Sequence, residues 1–550
     1  MRGPSQQERE LTQVLAKQHN QLWDKFSTSR STGESLRRLI LPNHAELLNQ
    51  QMIEGIERTD DVYSSTATIA APRLAAHLAG NVTPSRIQYF EFPSPARNIQ
   101  DLADEDKNWL QDEPAALFTS LNNSNYFGES LKFWLSIVAY GTGATLSDEH
   151  PSQKGEFIFH TVPFGKYVID EGIDGKLARF DWRFQWPLSR IVSMWGLDKL
   201  SQSWQAMFKQ DPFQLVTITQ VIKQAENDDY ELGVPKIRQI ASHFLDLENK
   251  HIINTGSYHE MPAHVGRWYQ MAGEDMGRGC GHDVLADVRS ENEVARLALN
   301  NLALSVSPPH KAKIAAVQGR PIFRPNSIVW VESMDDIDEM GNKTRLDIQQ
   351  YGQERLALSI NRAFFQDIIN VTQNPNQGRT PVSATQINAN IQHLLPVIGP
   401  YLSKIEHEYI IPQLGRCFNI RNRANLVSPM PPNLQALYKA QGGIANVAIK
   451  GPVAKSIQRT SLESIDAVLT RFNTLSPVWP GFIDRLNVER TANMIIESEN
   501  APTEMTNTND ELQAIMEKRA QQEAEAKEDE GLERGSQVVK NMGGLQNEAQ

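Results

Sequence analysis

Gly277-Arg278-Gly279-Cys280-Gly281-His282-Asp283-Val284-Leu285-Ala286-Asp287-Val288-Arg289 is the stretch on which the reading of this chain turns. Three glycines at alternate positions form a loop that opens directly into a long helix, His282 to Val306, stopped by Ser307-Pro308-Pro309 because the residue before a proline is pushed out of helical geometry. Val294, Leu297, Ala298 and Leu302 supply that helix with an apolar stripe. A short β-type insert follows, with Lys311, Lys313, Arg320 and Arg324 around Pro321 and Pro325 and a strand at Ile328-Val329-Trp330-Val331. A second long helix, about Thr344 to Ile369, carries Leu356, Ile360, Phe364 and Ile368 four residues apart. At about 1.5 Å per residue each helix is predicted to be nearly 40 Å long. Two long helices bracketing a small β module read as a stalk with a tip. The glycine loop itself lacks the preceding strand of a dinucleotide site and reads as a hinge or a tight turn.

Upstream, Glu10 to Phe26 places Leu11, Val14, Leu15, Leu22 and Phe26 at helical spacing. Ser64 to Gly80 is rich in Ala67, Ala70, Ala71, Ala75, Ala76 and Ala79, which permits close helix contact, with Pro72 at a kink or a helix start. Gly80-Asn81 closes it, and Thr83-Pro84 leads into a strand over Ile87 to Phe92. Leu131 to Tyr140 is apolar enough for a buried helix ending in a glycine turn, Gly141-Thr142-Gly143. The period then changes to two. Phe157 to Phe159, Tyr167 to Ile169, Phe180 to Trp186, Leu215 to Val221 and His251 to Ile253 read as strands, with Asp174-Gly175 a hairpin turn. Trp182, Trp186, Trp195 and Trp204 are core or interface anchors. The fold class is α+β, with helices beside a β-rich layer.

Downstream, Asn370 to Ser383 is a polar loop (Asn374-Pro375-Asn376-Gln377-Gly378-Arg379) too long for a simple helical connection, a feature often tied to function. Ala384 to Phe418 is helical but interrupted by Pro396, Pro400 and Pro412, so it bends. Ser428-Pro429-Met430-Pro431-Pro432 is the strongest boundary signal. Leu462 to Phe472 and Phe482 to Ile496 make a small helical unit, and Glu511 to Arg519 a polar helix fraying into disorder.

The 550 residues carry 54 Lys+Arg against 66 Asp+Glu, a formal net charge of -12, which excludes a protein that coats duplex DNA. About 13 acidic and about 5 basic side chains fall between Glu497 and Gln550, so most of the acidity is a tail. The hydrophobic fraction of 40% is ample for a packed core. Cys280 and Cys417, far apart, make neither a disulfide framework nor a zinc site and fit a reducing compartment. Met1 to Glu10 lacks a signal-peptide core and Trp134 to Leu146 is too short to span a bilayer, so no membrane insertion is expected.

Several chemistries are missing. Gly165-Lys166 and Gly175-Lys176 precede Tyr167 and Leu177, which cannot supply the hydroxyl of a P-loop, so an ATP-driven motor is disfavoured. His259, Glu260 and His264 have Pro262 between them and do not place two imidazoles on one helical face, so no metal is expected. No G-x-S-x-G elbow occurs. Neither a cofactor nor a catalytic residue is expected.

Taken in order, these blocks resemble the head-to-tail connecting (portal) proteins of short-tailed double-stranded DNA bacteriophages, from about Glu10 to about Ile496. They are Ser65-Thr66-Ala67 with Leu78-Ala79-Gly80 and Thr83-Pro84, then Gly141-Thr142-Gly143 and Gly165-Lys166-Tyr167 with Asp174-Gly175. Arg267-Trp268-Tyr269, the glycine loop with Leu285-Ala286-Asp287-Val288-Arg289, and Ser383-Ala384-Thr385-Gln386 complete the series. Cys280 departs from the family pattern, which more often has proline there. The resemblance implies a non-enzymatic ring, usually of twelve subunits, at one capsid vertex, through which double-stranded DNA passes during packaging and ejection. It implies a wing over residues 1–281, stem helices at 282–306 and 343–369, and a clip at 307–342. A channel loop at 370–383, a bent helix returning to the wing at 384–431, a helical crown at 432–496 and an acidic tail at 497–550 complete the outline. Arg379, with Asn376 and Gln377, would contact DNA in the channel. Lys311, Lys313, Arg320 and Arg324 would dock the terminase packaging motor and later the tail adaptor proteins, and Gly277, Gly279 and Gly281 would form a stem hinge. Capsid and scaffolding proteins would be further partners. A ring-forming head-tail adaptor or other virion scaffold without a DNA channel is the alternative. A channel that lets DNA slide needs few basic contacts in a neutral or acidic wall, because each neutralised phosphate adds affinity.

Overall fold

A computed structural model describes residues 6–44, 47, 59–96, 102–231, 233–306, 310–312, 337–339, 346–367, 398–440 and 447–450, with single positions at 470, 515 and 518. Helices α1 (Gln6–Lys25), α2 (Ser27–Ile40) and α3 (Thr66–Val82) precede strand β1 (Phe90–Glu91) and helices α4 (Asp104–Asn123) and α5 (Tyr126–Tyr140). Strands β2 (Thr142–Glu149), β3 (Phe157–Val162), β4 (Tyr167–Glu171) and β5 (Leu177–Pro187) lead to α6 (Leu188–Trp195) and α7 (Gln202–Gln210). Then come β6 (Leu215–Gln224), α8 (Asn227–Glu231), β7 (Ile240–Asp246), β8 (His251–Tyr258) and β9 (Ala263–Arg267). Helix α9 (Cys280–Val306), strands β10 (His310–Ala312) and β11 (Ile337–Glu339), and helix α10 (Leu346–Ala363) follow, and α11 (Ile411–Arg423), α12 (Pro432–Ala440) and β12 (Ala448–Ile449) come last. The class is α+β.

Five antiparallel strands form one sheet in the order β4-β5-β6-β7-β8. Period-two alternation along β5 divides its side chains between two faces. On one face, α1 lays Leu11 and Leu15 against Val221 and Leu245. Its His19 Nδ1 lies 2.8 Å from Asp181, which also accepts two bonds from Arg179. On the other face, Trp182, Phe184 and Trp186 form a ring ladder that continues to Trp195 and Phe244. Helices α6 and α7 cover the Trp186 end, with Leu188, Ile191 and Trp204 buried. These tryptophans are therefore anchors of a core. Gly175, at φ 71°, turns the β4–β5 hairpin as its Asp-Gly pair predicts.

A second sheet, β3-β2-β9, wraps the buried helix α5. Gly143 and Gly266 are directly paired across β2 and β9, and a Cβ on either would fall within 3 Å of the Phe133 ring. The paired glycines leave a floor on which Phe133 stacks with Tyr409, centroids 3.6 Å apart and planes 7° apart. The small face of α3 (Ala67, Ala70, Ala71, Ala75) is buried, as its composition predicts, and Pro72 lies within the helix.

Several expectations need correction. Only Gly141 turns; Thr142 and Gly143 already belong to β2, whose small and polar residues hide the strand from a hydrophobicity reading. β7 and β9 were likewise not predicted, and the strand expected over Ile87 to Phe92 shrinks to Phe90–Glu91. In α1, Val14 is exposed. The buried stripe of α9 is Val284, Val288 and Glu291, not the predicted one, and Leu297 and Leu302 are exposed. Helix α10 has 18 residues, about 27 Å, and ends where Phe365 takes φ 55°. The expected helix to Phe418 runs to Arg423. The strand at Ile328 to Val331, the loop Asn370 to Ser383, residues 384–397 of the expected bent helix, the helix from Leu462 apart from Thr470, the helix from Phe482, and all but two positions of the tail lie outside the described residues.

The chain divides into two units. One comprises Met1–Phe90, Pro114–Val427 and Asn446–Pro452; the other comprises Glu91–Glu113, Ser428–Ala445 and Val453–Gln550. In the second, Phe92 stacks on Trp109, whose Nε1–H donates to Ser428 O at 3.0 Å. There too, Glu113 accepts the Ser428 N–H at 2.8 Å and Tyr438 donates to Pro93 O at 2.8 Å.

Candidate functional site

The root of α9 is built on backbone contact. Gly141, at φ 74°, ends α5 in the left-handed conformation, and its carbonyl accepts the Trp268 N–H at 2.9 Å. A Cβ on Gly141 would sit 2.1 Å from the Arg278 carbonyl carbon. On Gly277 it would meet Gly141 O at 2.5 Å, on Gly279 Ile137 O at 2.5 Å, and on Gly281 Ala139 O at 2.3 Å. Each glycine thus lays the loop against the last turn of α5, where a side chain cannot fit. None of the three loop glycines has positive φ, so close approach is what they contribute here. Thr142 Oγ1 accepts the Gly277 N–H at 2.8 Å, and Tyr269 and Arg278 exchange backbone bonds of 3.2 and 2.7 Å. Burial pushes the Cys280 thiol up to about 12. Burial, with Arg278 nearby, lowers His282 to about 4, and its Nδ1 accepts the Gly279 N–H at 3.3 Å.

Beyond the root, α9 is tied to the start of α3. Asn292 Oδ1 accepts the N–H groups of Tyr63 and Ser64 at 2.7 and 3.2 Å, and its Nδ2 donates to Asp61 O at 2.8 Å. Thr66 donates to the buried Glu291 at 2.6 Å. Helix α10 returns along α9, Ser359 donating to Asp287 at 2.7 Å. Past its end, the Gln366 amide donates to Ala70 O at 3.0 Å, across the small face of α3. At the far end β10 pairs antiparallel with β11, Lys311 opposite Asp338. The two helices are present with a strand pair between them, but the strands fall at His310–Ala312 and Ile337–Glu339, which the sequence reading did not name.

A helix over residues 398–405 widens into a π-turn at Glu406–Ile410 before α11. Pro412 accounts for it: proline has no N–H, and in an α-helix its ring would strike the Glu408 carbonyl, at a cost of about 3 kcal/mol. The Ile411 N–H instead reaches back to Glu406 O. The wider turn places Glu408 against Arg267, which donates to it through Nε at 3.0 Å and Nη2 at 2.8 Å, and next to it Tyr409 against Phe133. Further along, Arg416 donates to Ser147 O and Glu260 O, both at 3.0 Å. Glu260 is thus an ion-pair partner of Arg416 and Arg423, and His264 Nε2 lies 2.8 Å from Ser147 Oγ.

Comparison with known proteins decides the family. The profile described as bacteriophage head to tail connecting protein matches residues 12–506. The chain belongs to this family. The portal protein of Salmonella phage epsilon15 is 23% identical over 532 residues, 92% of this chain and 91% of that one. The probable portal protein of Bordetella phage BPP-1 is 20% identical over 538 residues, 95% of this chain and 94% of that one. Among solved structures, a chain from the virion of a native gene transfer agent particle aligns at 10% identity and a TM-score of 0.32, over 78% of this chain and 94% of that one. A chain from the neck of an empty particle of the same agent aligns at 10% identity and a TM-score of 0.34, over 76% and 91%.

For this head-to-tail connecting protein, the structure brings Gly277, Gly279 and Gly281 together with Gly141 and sets Lys311 in β10. Lys313, Arg320, Arg324, Asn376, Gln377 and Arg379 lie outside the described residues. Arg267, Asn292 and Gln366 were not singled out for a role from sequence. Only Arg267 carried a signal, as the first residue of the Arg267-Trp268-Tyr269 block. No helix of the described residues is long and apolar enough to cross a membrane.

Proposed function

We propose that the chain is a portal subunit, one of twelve in a ring at a capsid vertex, and that the ring conducts double-stranded DNA during packaging and ejection. The observation that carries this reading is family membership over residues 12–506, which spans the helix pair and its two-stranded module. In this reading residues 1–281 are the wing, α9 and α10 the stem, 307–342 the clip, 370–383 the channel loop, 384–431 the returning helix, and 432–496 the crown. Leu297, Leu299 and Leu302 on α9 and Tyr351 and Leu358 on α10 are exposed in the single chain, as faces that meet neighbouring stems in a ring would be. Arg379, with Asn376 and Gln377, contacts DNA; Lys311, Lys313, Arg320 and Arg324 dock the packaging motor and then the tail adaptor. The chain itself performs no catalysis. The net charge of -12, repeated around a ring, favours passage of DNA over adhesion.

Light scattering with negative-stain imaging tests the assembly. Twelve copies of 61.9 kDa give a particle of about 740 kDa with an axial hole. A stable monomer, or a ring too narrow for duplex DNA, refutes the reading. Arg379→Ala leaves the ring intact and impairs packaging or retention of DNA; packaging equal to wild type removes that residue from the mechanism.

A further inference from the structure

The residues leaving β9 are gripped from two sides. On one side stands the helical segment 398–410. Its Tyr401 stacks on Trp268 with centroids 5.1 Å apart, its Lys404 donates to Gln270 at 3.1 Å, and its Glu408 takes the paired bonds from Arg267. On the other side lies the glycine loop. Arg267 Nη1 donates to Asp275 O at 3.1 Å, Gly277 lies against the Arg267 side chain, and Tyr269 bridges to Arg278. Arg267 also forms an ion pair with Glu171 of β4 and is itself only 7% exposed. One buried guanidinium therefore joins β4, the exit of β9, the π-turn and the loop that starts α9. Released from Glu408, the buried guanidinium would keep Glu171 as its counter-charge but leave Nε and Nη2 without their acceptor, so its contacts gain from being kept or lost together.

We propose that Arg267 is a latch that makes the π-turn and the glycine loop one cooperative opening unit, so that the helix at 398–410 cannot shift without loosening the root of α9. The latch would act in this way whether or not the chain conducts DNA. Pro412 excludes a regular α-helix at the turn, and the Phe133–Tyr409 stack fixes its inner face; of the remaining contacts, the Tyr401–Trp268 stack, the Lys404–Gln270 bond and those of Arg267, only those of Arg267 also reach the glycine loop.

Hydrogen exchange on the full chain, in whatever oligomer it forms, tests this with Arg267→Met and Glu408→Gln. In each variant, amides in 273–281 and in 401–410 are expected to exchange faster by a common factor, about ten- to hundredfold for the loss of a charged hydrogen bond. Amides of β6 under α6 and α7 keep wild-type protection. The double variant is expected to exchange no faster than the Arg267→Met variant, because both changes break the same latch. Acceleration confined to one segment, equal acceleration across the whole chain, no acceleration, or additive effects in the double variant would each overturn the proposal. Should Arg267→Met fail to fold, Glu408→Gln, at a side chain 21% exposed, tests the same joint opening alone.

Discussion

Gly279→Ala adds one methyl group where the structure leaves no room. Its Cβ would lie 2.5 Å from Ile137 O and 2.8 Å from both Cα and N of Gly141, all backbone atoms that cannot rotate away. Ordinary contact requires the loop to retreat by about 1 Å, which disturbs the bonds of Gly277 to Thr142 and of Arg278 to Tyr269. Overpacking of this kind costs about 1–3 kcal/mol. Gly415→Ala is the internal control: Gly415 lies inside α11 with nothing within 4 Å of an added Cβ, so alanine there stabilises the helix by up to about 1 kcal/mol. The same chemical change is thus expected to have opposite signs at the two positions, with a difference of about 1–4 kcal/mol. Urea unfolding followed by tryptophan fluorescence measures it, provided the slopes stay equal. A Gly279→Ala midpoint at or above wild type would show that the loop is not packed on α5 as described.

Other consequences follow from neighbouring contacts. Asn292→Ala removes three bonds between α9 and the segment before α3 and is expected to cost about 1–3 kcal/mol in the same assay, with Asn292→Asp recovering part of it by keeping an acceptor. His282 is held neutral by burial to about pH 4, whereas an unfolded imidazole titrates near 6.5, so the unfolded chain binds the extra proton between those values. Its contribution to stability is full above about pH 6.5 and is lost as pH falls toward 4. His282→Gln should flatten that part of the pH profile, and an unchanged slope would discount the group. Cys280 and Cys417, both buried with thiols pushed up to about 12, are expected to resist an aromatic disulfide reagent at pH 8 until the chain unfolds; rapid native labelling would contradict their burial.

Features decided within a few residues were legible in the sequence. The apolar run before Gly141 becomes a buried helix because its side chains cannot be solvated cheaply, and Asp174-Gly175 turns a hairpin because glycine accepts positive φ. The glycine loop and the helix it opens follow from the same local rules, whereas the paired strands His310–Ala312 and Ile337–Glu339 were not read from sequence. Features decided by partners far along the chain were not. Thr142–Glu149 is a strand because β3 and β9 flank it, although its own residues lack an apolar alternation. The buried stripe of α9, Val284, Val288 and Glu291, is set by the distant segments packed on the helix, α2, α5 and α10, and by the Thr66 bond to Glu291, and not by the leucines of its own helical register. The π-turn shows the two levels together: Pro412 announces a disturbance, but only Arg267 and Phe133, more than a hundred residues earlier, determine which side chains it presents. Local sequence sets backbone preference at each position, whereas the close approach of Gly141 to Gly277 and Gly279, and of Arg267 to Glu408, exists only once distant segments have packed, since no spacing along the chain encodes it.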